Sequence, residues 1–280
     1  MKELSAKGAH GNMEYQIMEP VPRLKRFIRY FWSLQSREES VVEMVRTFVD
    51  DSTGIIFQRH LDSSRLSRLG EKLPTMFIYG QTTTPTVARL NAPFTSVGVV
   101  FHPLAIHEIF GVDAYYLTDK IFPLDVFSGD RLWCERIVSA NSPSGKIAML
   151  QQYLLEKLND REVSLDSEVG EIIRLIQLQR FHNVKDIIED TKLSERHLER
   201  IFLRSVGVSP RHYLQIVRFN HVLRILRMGQ ISKLSDVAYQ FDFCDQSHLN
   251  RVIRRYAGMT PRQLMLQRGT ELVNLLLEAS

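Results

Sequence analysis

Residues 193–226 read LSERHLERIFLRSVGVSPRHYLQIVRFNHVLRIL, and residues 236–264 read DVAYQFDFCDQSHLNRVIRRYAGMTPRQL. Slid by 51 positions, the first stretch falls on the second. His197, Leu198, Arg200, Arg204, Gly207, Pro210 and Arg211 meet His248, Leu249, Arg251, Arg255, Gly258, Pro261 and Arg262, seven identities in fifteen positions. Ile201 and Val252, Phe202 and Ile253, and Ser209 and Thr260 are conservative pairs, so apolar character and capping chemistry repeat along with identity. Upstream of a short turn, Asp186 falls on Asp236 at an offset of 50. A fixed offset of this size marks a duplicated structural unit.

Each copy spells the same order of elements. Short helices are expected over 184–190 and 234–240, where Val184, Ile187 and Ile188, then Leu234, Val237 and Ala238, recur at helical spacing. A tight turn follows, after which Ser194 and Asp245 stand where a side-chain oxygen can accept the orphan amide protons of a new first turn. Along the second helix of copy one, Leu198, Ile201 and Phe202 share an apolar face, and Arg196, Glu199 and Arg200 fall together on another. Copy two places Leu249, Val252 and Ile253 inward and Gln246, Ser247, Asn250 and Arg251 outward. Gly207 and Gly258 can take the left-handed backbone that stops a helix, and Ser209-Pro210 and Thr260-Pro261 open the next one. Between the copies, Leu214, Val217, Val222, Leu223, Ile225 and Leu226 give one long helix a wide apolar stripe that ends at Met228-Gly229.

Length and composition leave room for a second unit upstream: 280 residues, 44% hydrophobic and 24% charged, suit two globular domains. Alternation at Val42, Met44, Arg46 and Phe48 and the runs GIIF (54–57) and SVGVVF (96–101) suggest strands, and Pro103 opens a short helix through Phe110. The charge is unevenly divided. Residues 180–268 hold 16 Lys and Arg against 8 Asp and Glu, so they carry +8 and the rest of the chain −4 within a total of +4. A basic part behind an acidic part suits a polyanion-binding module attached to something with a different partner. Cys134 and Cys244 are too few for a disulfide framework or a four-thiolate zinc site. The first fifteen residues lack the apolar stretch of a signal peptide and no run of about eighteen apolar residues occurs, so a cytoplasmic location without membrane insertion is expected.

The two quoted stretches resemble the AraC/XylS family of bacterial transcriptional regulators, over roughly Glu168 to Arg268. Cys244-Asp245 in the second turn, and Ile253 where the family has an aromatic residue, depart from its pattern. The upstream stretch MFIYGQTTTPTVARLNAPFTSVGVVFHPLAIHEIFGVDAYYLTDKIFPLD (76–125) resembles, more loosely, the N-terminal domain of one branch of that family. The resemblance implies an α+β chain: a mixed, β-rich regulatory or dimerisation domain over 1–160, then an all-α DNA-binding domain over 161–280. In the second domain it implies helix-turn-helix one at about 184–206, a linker helix at about 211–228 and helix-turn-helix two at about 234–257. The implied partner is double-stranded DNA. A small-molecule effector, a second copy of the chain and RNA polymerase stay open as further partners, and no cofactor or metal is expected.

On that reading Arg196 and Arg200 are the leading base-contacting residues of copy one, because a guanidinium fork matches guanine O6 and N7 bidentately. Solvated or phosphate-bound arginine is the alternative at each position, since phosphate contacts outnumber base contacts in most interfaces. Glu199 could accept from cytosine N4 or orient the two arginines. In copy two, Gln246 and Asn250 have amide geometry suited to adenine, and Ser247, His248 and Arg251 can reach bases or phosphate. His197 and His248 sit beside core leucines, where packing or capping competes with readout. Arg204, Arg255, Arg211 and Arg262 are expected to be structural or phosphate-facing. The two recognition helices should enter successive major grooves about 34 Å apart, and their different faces imply an asymmetric site. A catalytic role for His60, His102 or His107 and an RNA-binding role are the rival readings; no metal-ligand spacing, nucleophile elbow or phosphate loop supports the first, and no stacking aromatics on a sheet the second. The aromatic run Tyr30, Phe31 and Trp32 could line a pocket or form plain core.

Overall fold

Strand residues in the N-terminal region alternate between two faces, and one of those faces builds the first core. The computed structural model describes residues 3–7, 13–36, 42–60, 67–68, 71–91, 93–160, 168–228 and 233–266. The strands are β1 (Glu3–Lys7), β2 (Met13–Met18), β3 (Ile28–Ser36), β4 (Val42–Thr47), β5 (Thr53–His60), β6 (Ser67–Arg68), β7 (Glu71–Lys72), β8 (Met76–Tyr79), β9 (Thr86–Asn91), β10 (Phe94–Phe101) and β11 (Ile121–Pro123). Among the described residues they form two antiparallel sheets, one in the order β1-β2-β3-β10-β5-β8-β11 and one in the order β4-β9-β6-β7. Helices α1 (Ala105–Phe110), α2 (Leu124–Ser128), α3 (Arg131–Ser139) and α4 (Pro143–Asn159) follow.

Phe31, Val99, Ile55 and Ile78 stand directly opposite one another across four neighbouring strands. All are buried in one cluster with Ile106 and Ile109 of α1 and Leu150, Tyr153 and Leu154 of α4. The next row, Trp32, Gly98, Ile56 and Phe77, lies on the opposite face because successive strand residues point to opposite sides. Gly98 is required there: a Cβ would sit 2.4 Å from the Trp32 indole. The aromatic run at 30–32 is therefore split, with Phe31 in the helix-facing core and Tyr30 and Trp32 half-buried behind the sheet. The strands expected from GIIF, SVGVVF and the alternation at 42–48 are β5, β10 and β4. The helix expected from Pro103 begins two residues later, at Ala105, after a turn.

The C-terminal region is helical: α5 (Glu168–Gln177), α6 (Val184–Thr191), α7 (Glu195–Ser205), α8 (Pro210–Met228), α9 (Leu234–Gln240), α10 (Gln246–Ala257) and α11 (Pro261–Leu266). Helix α8 buries more of its circumference than a stripe: Tyr213, Ile216 and Phe219 are fully enclosed along with Val217, Val222, Leu223 and Leu226. A connector gripped on several sides loses the amphipathic signature of a surface helix. Its core also takes in Phe48 and Val49, which lie in the N-terminal region just past β4. The expected stop at Gly229, the boundary between 160 and 161, and Arg268 lie outside the described residues.

The link from β4 to β5 carries two adjacent aspartates, Asp51 buried and Asp50 half-buried. Asp50 Oδ1 accepts from Ser52 N at 3.1 Å and from Ser52 Oγ at 2.6 Å. Burial still prevails over those bonds and pushes its carboxyl up to about 6. The folded chain therefore keeps this proton to higher pH than the unfolded chain, so Asp50 subtracts from stability as the pH rises from about 4 through that value. Asp50→Asn keeps the accepting oxygen without the charge. Thermal melts should show the variant gaining on the wild type between pH 5 and pH 8; a constant difference across that range would contradict the assignment.

Candidate nucleic-acid interface

Capping chemistry sets where each recognition helix begins. Ser194 Oγ accepts from His197 N at 3.3 Å at the start of α7, and Asp245 Oδ1 accepts from His248 N at 2.6 Å at the start of α10. Each such cap is worth about 1 kcal/mol. The preceding helices differ. At α6 Asn183 and Asp186 form a reciprocal capping box, whereas Lys233, at the equivalent place before α9, gives no side-chain cap. After recognition, Ser209 Oγ accepts from His212 N at 3.2 Å to open α8. Thr260 and Gln263 bond each other reciprocally at the start of α11.

The repeat extends to the backbone of the turns. Lys192 after α6 has φ 59°, and Asp242 after α9 has φ 55°, again at an offset of 50. Both turns thus pass through a left-handed residue that is not glycine. Lysine does not announce that conformation in the sequence, whereas aspartate visits it more readily.

Inside α7, Leu198 and Phe202 are fully buried, and Leu249, Ile253 and Tyr256 hold α10 in the same way. The residues singled out for reading fall as follows. Arg196, Glu199 and Arg200 are exposed on successive turns of α7; Gln246, Ser247 and Arg251 are exposed on α10. Asn250 differs from its expected outward position: it is half-buried, and its Oδ1 is enclosed without a hydrogen-bond partner among the described residues. Arg200 Nη2 lies 3.2 Å from His197 Nδ1. Among the described residues no ion pair joins Glu199 to either arginine. His248 packs edge-on against Phe243, with ring centroids 5.3 Å apart.

Of the four arginines set apart from the reading faces, Arg204 and Arg255 have protein partners, whereas Arg211 and Arg262 are exposed. Arg204 Nε lies 3.2 Å from Asp113 Oδ1, and the Arg255 guanidinium sits 5.4 Å from the Tyr256 ring centroid. Arg218 of α8, which carried no expectation, joins the two units: Nη2 donates to His182 O at 2.6 Å and Nη1 to Asp242 O at 3.4 Å. His182 Nδ1 and Asp242 Oδ2 are 2.6 Å apart. This clasp connects His182, two residues ahead of α6, with the left-handed turn residue after α9. A motif scan cannot find it, because its members are 182, 218 and 242.

Two short three-helix units, each exposing a differently composed second helix around a shared connector, define a tandem helix-turn-helix protein. Residues 187–267 match the family described as Helix-turn-helix domain, and residues 16–123 match Domain of unknown function (DUF6597). The HTH-type transcriptional activator RhaR of Yersinia pseudotuberculosis serotype O:1b (strain IP 31758) is 35% identical over 85 residues, 30% of this chain and 29% of that one. The HTH-type transcriptional activator RhaS of Escherichia coli O139:H28 (strain E24377A / ETEC) is 26% identical over 129 residues, 44% of this chain and 46% of that one. The chain thus spans less than half the length of these curated relatives. Among solved structures, unsaturated fatty acid bound wild-type ToxT from Vibrio cholerae strain SCE256 has 14% identity and a TM-score of 0.43, covering 84% of this chain and 99% of that one. Over residues 187–267 the C-terminal region is thus a helix-turn-helix region similar to parts of the transcriptional activators RhaR and RhaS.

A left-handed lysine carries a steric cost of about 1 to 2 kcal/mol that glycine does not, offset in part by the greater freedom glycine adds to the unfolded chain. Lys192→Gly should therefore raise stability by about 0.5 to 1 kcal/mol in denaturant titrations. A loss of stability would mean that the bond from Lys192 Nζ to Glu189 O, 2.6 Å long, outweighs the backbone term.

Proposed function

We propose that this protein is a sequence-specific DNA-binding transcriptional regulator of the AraC/XylS type that acts in the cytoplasm. The observation that carries the reading is the pair of recognition helices: repeated scaffolds, each capped and buried alike, with RxxER exposed on α7 and a different set led by Gln246, Ser247 and Arg251 exposed on α10. Guanidinium groups at the N-terminal half of a recognition helix suit bidentate contacts to guanine, and the amide of Gln246 suits adenine. Glu199 and Arg200 complete the reading surface of α7. The N-terminal region would control this activity by taking a small molecule or by pairing with a second copy, and RNA polymerase is the natural downstream partner of such a regulator.

Selection of bound duplexes from a random DNA pool tests the reading. One chain should enrich an asymmetric site with two different half-sites about 10 base pairs apart, centre to centre. No enrichment, or displacement of the selected duplex by unrelated RNA, would refute it. Within that site Arg196→Ala should flatten the preference at one or two base pairs, losing about 1 to 3 kcal/mol of discrimination there. If all sequences weakened alike and the salt dependence became shallower, Arg196 would be a phosphate contact instead.

A further inference from the structure

The two glycines that close the recognition helices are also where the N-terminal region meets them. Gly207 has φ 95°, and a Cβ there would lie 2.7 Å from Thr118 Oγ1 and 3.0 Å from Ala114 O. Thr118 Oγ1 donates to Gly207 O at 2.6 Å, and Arg204, one turn earlier on α7, is paired with Asp113. Gly258, the counterpart 51 residues on, has φ 68°, and its Cβ would lie 3.0 Å from Arg46 Nη1 and 3.3 Å from Pro85 Cγ. Just before it, Tyr256 O accepts from Val49 N at 3.0 Å. Equivalent points of the two units are thus held by two different segments of the N-terminal region, 113–118 and 46–49.

A third contact lies between them on the connector. The Asp51 carboxylate accepts from Gln177 Nε2 at 2.8 Å and from Tyr213 Oη at 3.2 Å, and its Oδ2 is 2.8 Å from Arg29 Nη2. Gln177 ends α5 and Tyr213 lies in the first turn of α8. Burial alone would raise this carboxyl, but the Arg29 guanidinium and the three hydrogen bonds hold it below the usual carboxylate range.

We propose that the N-terminal region is a gauge for the two recognition helices: it holds their C-terminal ends and their connector at fixed relative positions, and so sets the number of base pairs between the two half-sites. The inference rests on the proposed DNA-binding function. A gauge fits better than a mask because the contacts fall at the far ends of α7 and α10, while Arg196, Arg200, Gln246, Ser247 and Arg251 stay exposed. Thr118, Asp51 and Tyr213 are then positioning residues that touch no DNA. By linkage, whatever displaces segments 46–51 or 113–118 changes the preferred spacing, and DNA of the preferred spacing tightens those segments in return.

The test uses the full chain with Thr118→Val and Tyr213→Phe together, which removes two hydroxyls and keeps the apolar shape. Affinities are measured for duplexes carrying both selected half-sites at the preferred separation and at separations one to three base pairs longer or shorter. The variant should lose about fivefold or more of the spacing preference, with base preferences inside each half-site unchanged, and Thr118→Ser with Tyr213 restored should recover it. An unchanged spacing profile in a folded variant overturns the proposal, as does uniformly tighter binding at every spacing, which would indicate a mask. If the double variant does not fold, Gln177→Met alone serves, since it leaves Arg29, Asp51 and Tyr213 in place. Should the wild type bind no duplex at all, the DNA-binding reading fails, and amide exchange still decides the grip: faster exchange at Val49 in the variant supports it, and unchanged exchange overturns it.

Discussion

A carboxylate removed from water must recover its hydration from the protein, and in this fold the debt of Asp51 is met by groups from three elements that are remote in sequence. Arg29 comes from β3, Gln177 from the end of α5 and Tyr213 from the start of α8. Arg29 adds a second bond, to the Asp51 carbonyl, at 3.3 Å. Losing one partner of a buried ionic set costs about 3 to 5 kcal/mol, because the remaining charge is left uncompensated. The sheet and the helical region are therefore not free to part. Phe48 and Val49 reach the helical core from the same short segment, so charge compensation and apolar burial act on one loop.

That loop explains why α8 looks as it does. A connector that only bridged two units would show one apolar stripe and one wet face. Helix α8 receives the first unit on one side, the second unit on another and the 46–51 segment on a third, and Tyr213, Ile216 and Phe219 are enclosed as a result. Arg218 uses the remaining perimeter to reach both His182 and Asp242 through carbonyl oxygens. The two units are thus placed by packing and by directional bonds together. Directional bonds matter here because apolar contact alone tolerates sliding, whereas a guanidinium fork on two carbonyls does not.

Much of the reading surface was legible because helical periodicity separates faces without knowledge of neighbours. Leu198 and Phe202 had to face in, and Arg196, Glu199 and Arg200 then faced out. The same reasoning succeeded at Ser194 and Asp245, since a cap is a local hydrogen bond within four residues. It went astray at Asn250, where the position on the helix wheel faces outward but the surrounding side chains enclose the amide oxygen. It also treated Tyr30, Phe31 and Trp32 as one aromatic group, although strand geometry sends neighbours to opposite faces. Gly207 and Gly258 were recognised as helix stops, and nothing within either unit disclosed that another part of the chain rests on both.

By itself the sequence determined the duplicated helical scaffold, its caps and stops, and which side chains of α7 and the start of α10 face solvent. Those features depend on interactions spanning one or two helical turns. Only the tertiary structure decided that Arg204 pairs with Asp113, that Arg218 ties residues 182 and 242 together, and that Asp51 completes its hydrogen bonds on Gln177 and Tyr213. Each of these joins residues 24 to 162 positions apart. No local pattern encodes such a partner, because what selects it is the low-dielectric space that appears after the sheet and the helices have packed.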